Sequence, residues 1–266
     1  MTDATVDAPV DAWRSVDRWR RRTGLDAAQA PTERLGAVVE VFEATWGVGR
    51  SPDRSFFTAL SHAGNPVILV TDGDQPVGAA FAMLGWNDGL HLHSHMAAVL
   101  PGYRGRGVGG LMKLVQRADA LEHGIREIRW TYDPLVLRNA RFNLGRLGAR
   151  VVAFHRDFYG RLGDAVSGDD ASDRFEVAWE LDSPRVLAAL AADSSATPQW
   201  VGERRLELTP DYHALRAEDP AEASRLRARS RQVIESALTD GLRPETDTAG
   251  YVFVADEPGA EDRGKS

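Results

Sequence analysis

Residues 92–121, LHSHMAAVLPGYRGRGVGGLMKLVQRADAL, decide how the chain folds. They open as an extended segment closed by Pro101 and turn through Arg104, Gly105, Arg106, Gly107, Gly109 and Gly110. An amphipathic helix follows, with Val108, Leu111, Met112, Val115 and Ala118 as its apolar stripe. Four glycines within six residues cost backbone entropy, so a helix that starts on them points to main chain that a Cβ would spoil. The first amides of a helix lack intrahelical acceptors and carry the positive end of its dipole. With two arginines beside them they predict a phosphate cradle.

Upstream, the 3.6 period predicts a basic helix over residues 11–22, with Trp13, Val16 and Trp19 on one face. A second helix follows Thr32 with Leu35, Val38, Val39, Phe42 and Trp46 and stops at Gly47; a third runs from Asp53 to near Gly64. Residues 65–71 and 75–84 flank Asp72-Gly73-Asp74, the strongest hairpin signal in the chain, and a third strand occupies 90–100.

Downstream, residues 125–132 alternate as a strand that must lie beside the third one, because the intervening helix is long enough for a crossover. A helix over 137–147, a strand at 151–154, a polar loop or lid at 163–173, a strand at 174–181 and a helix at 185–192 follow. Residues 188–198 form the best linker. Beyond it come a short strand at Leu206 and Leu208, a helix opened by Asp219-Pro220 and ended by Gly241, and a strand at 251–255. The chain therefore divides into an N-terminal helical extension (1–31), a main domain (32–192), a strand-helix-strand extension packed on it (199–255) and a disordered tail (256–266).

The 266 residues include no cysteine, which excludes disulfides, thiolate nucleophiles and cysteine zinc sites. A net charge of -7 argues against nucleic acid as a partner. The start of the chain has neither a basic region nor an apolar run, and no window reaches membrane-spanning length; a cytoplasmic protein without membrane contact is expected.

Three readings of the glycine turn compete. A Walker loop needs Gly-Lys-Ser/Thr, and Leu111-Met112-Lys113 stands there instead. A dinucleotide turn belongs near the start of a βαβ unit with an acid after the next strand. Asp133 imitates that acid, but a hairpin and helices precede the turn, and Arg104 and Arg106 within it depart from the pattern.

The third reading fits. Residues 101–109, PGYRGRGVG, resemble the acyl-coenzyme A pyrophosphate loop of the GNAT superfamily of acyltransferases, Gln/Arg-x-x-Gly-x-Gly/Ala, with Arg104, Gly107 and Gly109 on its defining positions. The order of elements between about residues 32 and 181 is similar too. WTYDP at 130–134, RNARFNLGRLGA at 138–149, and SDR with WELDSPRV between 172 and 186 resemble a poorly characterised bacterial branch of that superfamily.

The resemblance implies an α/β (α+β) fold: a mixed sheet with splayed central parallel strands, helices on both faces and a small C-terminal extension. It implies an N-acyltransferase that uses acetyl-CoA or another acyl-CoA, attacked directly by a small-molecule amine in a ternary complex. Main chain at Ala98, Val99 and Leu100 would bond the pantetheine arm. Amides of Arg104, Gly105, Arg106, Gly107, Val108, Gly109 and Gly110 would hold the pyrophosphate, and Asn139 would lie near the cofactor's far end.

The acid and base are less determined. His91, His93 and His95 share a strand face, and His93 or His95 could take the amine proton through water. No metal site is expected, since alternate side chains on a flat strand stand too far apart and no carboxylate accompanies them. Where the family carries its acidic tyrosine this chain has Leu144, beside Asn143. Tyr132 or Asn143 replaces it, the thiolate leaves without an acid, or the chain is not an efficient enzyme. Trp46 is a candidate substrate wall, whereas Trp86, Trp130 and Trp179 read as packing. The competing function is a non-catalytic CoA-binding or assembly module. The region after residue 200 either covers the acceptor site or makes a homodimer; periodicity does not choose.

Overall fold

The computed structural model describes residues 8–166, 168, 170–192, 200–202 and 204–255. The expected disordered tail and part of the expected linker lie outside the described residues. The chain divides into two compact units, the first reaching Trp130 and including Gly163–Gly168 and Glu180–Asp182, the second made of the remainder.

The first unit contains α1 (Ala8–Thr23), β1 (Asp26–Gln29), α2 (Leu35–Trp46), α3 (Arg54–His62), β2 (Val67–Asp72), β3 (Gln75–Gly85), β4 (His91–Val99), α4 (Val108–Glu122) and the start of β5 (Glu127–Tyr132). A 3₁₀ turn, Thr32–Arg34, leads into α2, so the helix predicted from Thr32 begins a turn later. Asp53 caps α3 by accepting from the Phe56 amide, and Gly73 takes the left-handed conformation the hairpin turn requires.

The strand order is β1-β2-β3-β4-β5. All neighbours are antiparallel except β4 and β5, which run parallel as the crossover predicts. Alternation divides the sheet's two faces. Val67, Leu69, Ala79 and Phe81 join Leu35, Val38, Phe42 and Phe57 of α2 and α3 in one core. On the other face Gly78 lies under Val108 of α4, so close that a Cβ there would meet it at 2.5 Å. α1 packs along α4 on that same side, with Trp13 Nε1 donating to Glu122. β1 was not foreseen, because Asp-Ala-Ala-Gln has no apolar alternation; its pairing with β2 makes it a strand.

The second unit contains α5 (Leu137–Ala140), which runs into a π-helical turn at Arg141–Arg146, then β6 (Arg150–His155), β7 (Arg174–Glu180), α6 (Pro184–Ala191), β8 (Arg204–Glu207), α7 (Tyr212–Glu218), α8 (Pro220–Thr239), β9 (Leu242–Thr246) and β10 (Gly250–Ala255). β6 and β7 pair antiparallel. The C-terminal strands form a sheet of their own, β8-β10-β9, rather than lengthening another. β9 and α7 escaped the sequence, the first because Pro244 breaks its pattern, the second because seven residues hold less than two full helical periods. The α8 cap is as read: Asp219 accepts from Glu222 N with Pro220 at the first position.

Tyr251, Phe253, Phe175 and Trp179 are fully buried in this unit, and Trp179 Nε1 donates to Leu147 O at 2.7 Å. Arg227 of α8, 4% exposed, reaches Asp133 and Asp170 at 2.8 Å and Asp173 at 3.5 Å. Arg231 adds a bidentate pair to Asp173.

Candidate active site

The glycine turn begins where β4 ends. Leu100 N donates to Val77 O, and a short 3₁₀ turn, Pro101–Tyr103, places Tyr103 N on Leu100 O. Arg104 N and Arg106 N make long bonds of 3.3 Å to Pro101 O and Tyr103 O. Gly105 (φ +78°) and Gly107 (φ +90°) are left-handed, and Leu111 N on Gly107 O is the first helical bond of α4. The amides of Gly105, Gly107, Val108, Gly109 and Gly110 thus have no acceptor among the described residues. Arg104 is exposed, and Arg106 lies over the Tyr103 ring with its guanidinium 3.3 Å from Asp72.

Not every glycine here answers to a ligand. Trp19 of α1 donates from Nε1 to Gly107 O at 3.0 Å, and a Cβ on Gly110 would stand 2.5 Å from its ring. The indole explains Gly110. It occupies a carbonyl and a Cα face, leaving the amides alone. A group with two linked phosphates fits that cradle: bare amides at a helix start with Arg104 beside them.

Next to the turn the sheet opens. Although β4 runs to Val99, its ladder with β5 consists of Leu92 with Ile128 and His93 with Arg129. A bulge interrupts its other edge, where Phe81 pairs with Met96 and Ala82 with Ser94, so that His95 is the extra residue of the bulge. Ala97, inside an inner strand, is exposed. Ala98 and Val99 pair with Ala79 and Gly78 on the closed side.

The three histidines separate. His91 is buried against Gly85 with Nδ1 2.9 Å from Gly89 O. The rings of His93 and His95 lie 5.7 Å apart, and His95 meets Phe81 edge-on at 5.5 Å. Surrounding protein lowers the His95 pKa by desolvation, although the residue as a whole is exposed. Trp46 is partly buried, its ring 5.6 Å from Phe42.

The structure adds a group that sequence reasoning missed. Lys113 of α4 is buried, with Nζ 2.9 Å from Ser94 Oγ and 3.7 Å from the centre of the Trp130 ring. Ser94 in turn donates to Gln116 Oε1 at 3.0 Å. Desolvation alone brings the Lys113 pKa down to about 7. Nothing in the sequence marked it, because Gln116, Arg117, Asp119 and Glu122 are polar positions of the same helix.

Tyr132, Asn139 and Asn143 belong to the second unit. The Tyr132 hydroxyl is buried 3.2 Å from that of Tyr251, which donates to Pro134 O; burial raises its pKa well above the ordinary value. Asn139 is half-buried with its amide on Val136 O. Asn143 is buried in the π turn, its carbonyl accepting from Ala149 N, and Leu144 beside it is buried too. A cleft of about 510 Å³ in this unit is lined by Arg216, Arg227, Arg231 and Asp170. Arg227 and Arg231 are matched there by carboxylates. Among the described residues no group of three His, Cys, Asp or Glu is placed to hold a metal, and no helix is long and apolar enough to cross a membrane.

One family model covers the loop, the opening strands and α2: that of the acetyltransferase (GNAT) family, matching residues 35–142. The match to the GNAT model takes in less than half of the chain. The GNAT segment runs from the first residue of α2 into the π turn. No curated protein sequence matches the chain. Solved structures similar to it include yncA from Salmonella typhimurium with its cofactor acetyl-CoA, at 19% identity over 59% of this chain and 94% of that one, TM-score 0.47. The ribosomal-protein-S18-alanine N-acetyltransferase of Escherichia coli is 14% identical over 60% and 95%, TM-score 0.49. The IAA acetyltransferase of Bacillus cereus is 12% identical over 59% and 99%, TM-score 0.46.

Proposed function

We propose that this chain is an acyl-CoA-dependent N-acyltransferase, taking acetyl from acetyl-CoA and passing it to an amine of a small molecule within a ternary complex. The single observation that carries the reading is the set of bare amides at Gly105 and from Gly107 to Gly110, at the end of a strand that parts from its parallel neighbour, inside a GNAT segment. Residues 32–192 form the transferring domain in this reading, with 1–31 and 199–255 as additions.

The amides of Gly105, Gly107, Val108, Gly109 and Gly110 hold the pyrophosphate, and Arg104 supplies a charge-assisted bond. Main chain at Ala98 and Val99 lines the pantetheine arm; the Leu100 amide already serves Val77. Bound acyl-CoA supplies a thioester carbonyl activated toward attack. His95, its pKa lowered by desolvation, and His93 beside it stand at the bulge on the side from which the amine enters. Asn139 is assigned to the cofactor's far end, and Asn143 to the place next to Leu144.

Calorimetry with coenzyme A and acetyl-CoA, followed by a thiol-release screen over amines, tests this. Absence of binding overturns it. Tight binding without turnover across a broad amine panel favours the second reading, a non-catalytic CoA-binding module, whose support is Leu144 where the family's tyrosine stands.

A further inference from the structure

Lys113 is an amine without a counter-charge. It is 6% exposed, and no carboxylate lies within ion-pair distance of it among the described residues. Its Nζ meets a hydroxyl, Ser94, and the face of an indole, Trp130. Gln116, 0% exposed, accepts from Ser94 through Oε1, while its Nε2 has no acceptor. Their placement gives the cluster meaning. The β4–β5 ladder ends at His93 and Arg129, and Ser94 and Trp130 are the next residue on each strand. An amine, a hydroxyl and an unused amide donor therefore converge at the point where the two strands separate.

Packing alone would not assemble them. A methionine fills the same volume with no desolvation cost, and an unmatched buried amide is unfavourable by itself.

We propose that Lys113, acting through Ser94, is the proton relay of the acyl-transfer site, receiving the proton that the acceptor amine releases and returning it to the departing sulfur. The inference rests on the acyltransferase reading above. As the amine nitrogen bonds to the acyl carbon, the carbon–sulfur bond breaks. With Lys113 neutral, the Ser94 hydroxyl turns from Gln116 Oε1 to Lys113 Nζ. Nitrogen then gives its proton to Ser94 Oγ while the Ser94 proton moves to Nζ; the reverse transfer converts the thiolate to the thiol. Atoms and charge balance with no further reactant. Lys113 would then do the work of the tyrosine that Leu144 replaces, while the His93 and His95 rings lie on the opposite face of β4 and aid the amine's entry.

The charged groups around Lys113 leave it alone. On α4, Arg117 turns to Leu181 O and Asp119 faces His123. From α1, Asp11 pairs with Arg14, and Arg20 with Asp17 and Asp26. On β5, Arg129 is held by Glu127. Desolvation is thus unopposed, and a pKa of about 7 keeps the neutral form available at neutral pH.

The test is NMR of the full chain with ¹³Cε-labelled lysine, together with kinetics of Lys113→Met and Ser94→Ala. Lys113 is expected to titrate near pH 7 and to shift when coenzyme A binds. Lys113→Met should keep coenzyme A affinity within about twofold, lower kcat about a hundredfold or more and abolish the acidic limb of the pH profile. Ser94→Ala should lower kcat similarly and move the Lys113 titration; it carries the kinetic test if Lys113→Met does not fold. Titration near pH 10, a resonance indifferent to bound coenzyme A, or unchanged profiles in both variants would overturn the relay. Failure of wild-type protein to bind coenzyme A is a separate result, and sinks the acyltransferase reading itself.

Discussion

The Trp19 indole stands where a side chain on Gly110 would have to go. Its Cζ2 lies 2.5 Å from the position of a Cβ there, and its Nε1 holds Gly107 O. α1 thus makes an intimate contact with the first turn of α4, although it lies outside the GNAT segment.

Gly110→Ala should therefore destabilise the protein by about 1–3 kcal/mol through overpacking, even though alanine is the better helix former. In a Trp19→Ala background the same change should become neutral or stabilising. Urea denaturation of both single variants and the double variant reads the coupling; additive effects would contradict the contact.

Arg104 is exposed, so removing it leaves the fold intact. Arg104→Ala should weaken coenzyme A binding roughly tenfold to a hundredfold, the worth of a hydrogen bond to a charged group, with stability within ~0.5 kcal/mol of wild type. Calorimetry and thermal melts together separate the two effects. Unaltered affinity would remove this arginine from the cradle.

Lys113 makes stability rise with pH. Its folded-state pKa of about 7 lies below its ordinary 10.5, so between these values the unfolded chain binds the extra proton and the native state does not. Stability is lowest below pH 7 and recovers as pH climbs toward 10.5, with a slope of up to about 1.4 kcal/mol per pH unit. Lys113→Met should abolish the slope and gain most below pH 7. A flat wild-type profile over that window would refute it.

The Arg227 cluster predicts the opposite limb. Burial works against the Asp173 carboxylate, but bonds from Arg231 and the Asp157 amide and the charge of Arg227 outweigh it, holding the pKa below 3.8. Its contribution is present above about pH 4 and is lost as acid protonates it. Arg227→Met, which leaves Asp133, Asp170 and Asp173 without their shared cation, should cost about 3–5 kcal/mol in denaturant melts near pH 7. A loss under about 1 kcal/mol would show that the cluster contributes little.

The legible parts of the fold were those with local causes. The Asp72-Gly73-Asp74 turn, the glycines that open α4 and Asp219-Pro220 before α8 each act within a few residues, and each appears where the sequence placed it. β1 depends on a partner far along the chain, so neither its composition nor its period betrays it, whereas β9 pairs with the adjacent β10 and is masked by Pro244. The same limit applies to the site. Gly105 and Gly107 could be read from backbone demands, whereas Gly110 answers to a tryptophan ninety-odd positions earlier. Lys113 could not be distinguished from a solvated lysine until Ser94 and Trp130 were seen beneath it.

β1 has a protective consequence. Without its four residues, the apolar run of Val67, Ile68, Leu69 and Val70 would form the rim of the sheet, an invitation to pair with a neighbouring molecule. A strip only four residues long, carrying Asp26 and Gln29 outward, is a poor template for such pairing. Trimming the chain back to residue 30 would remove this hem as well as α1, and sedimentation should then find aggregates where the full-length chain gives none.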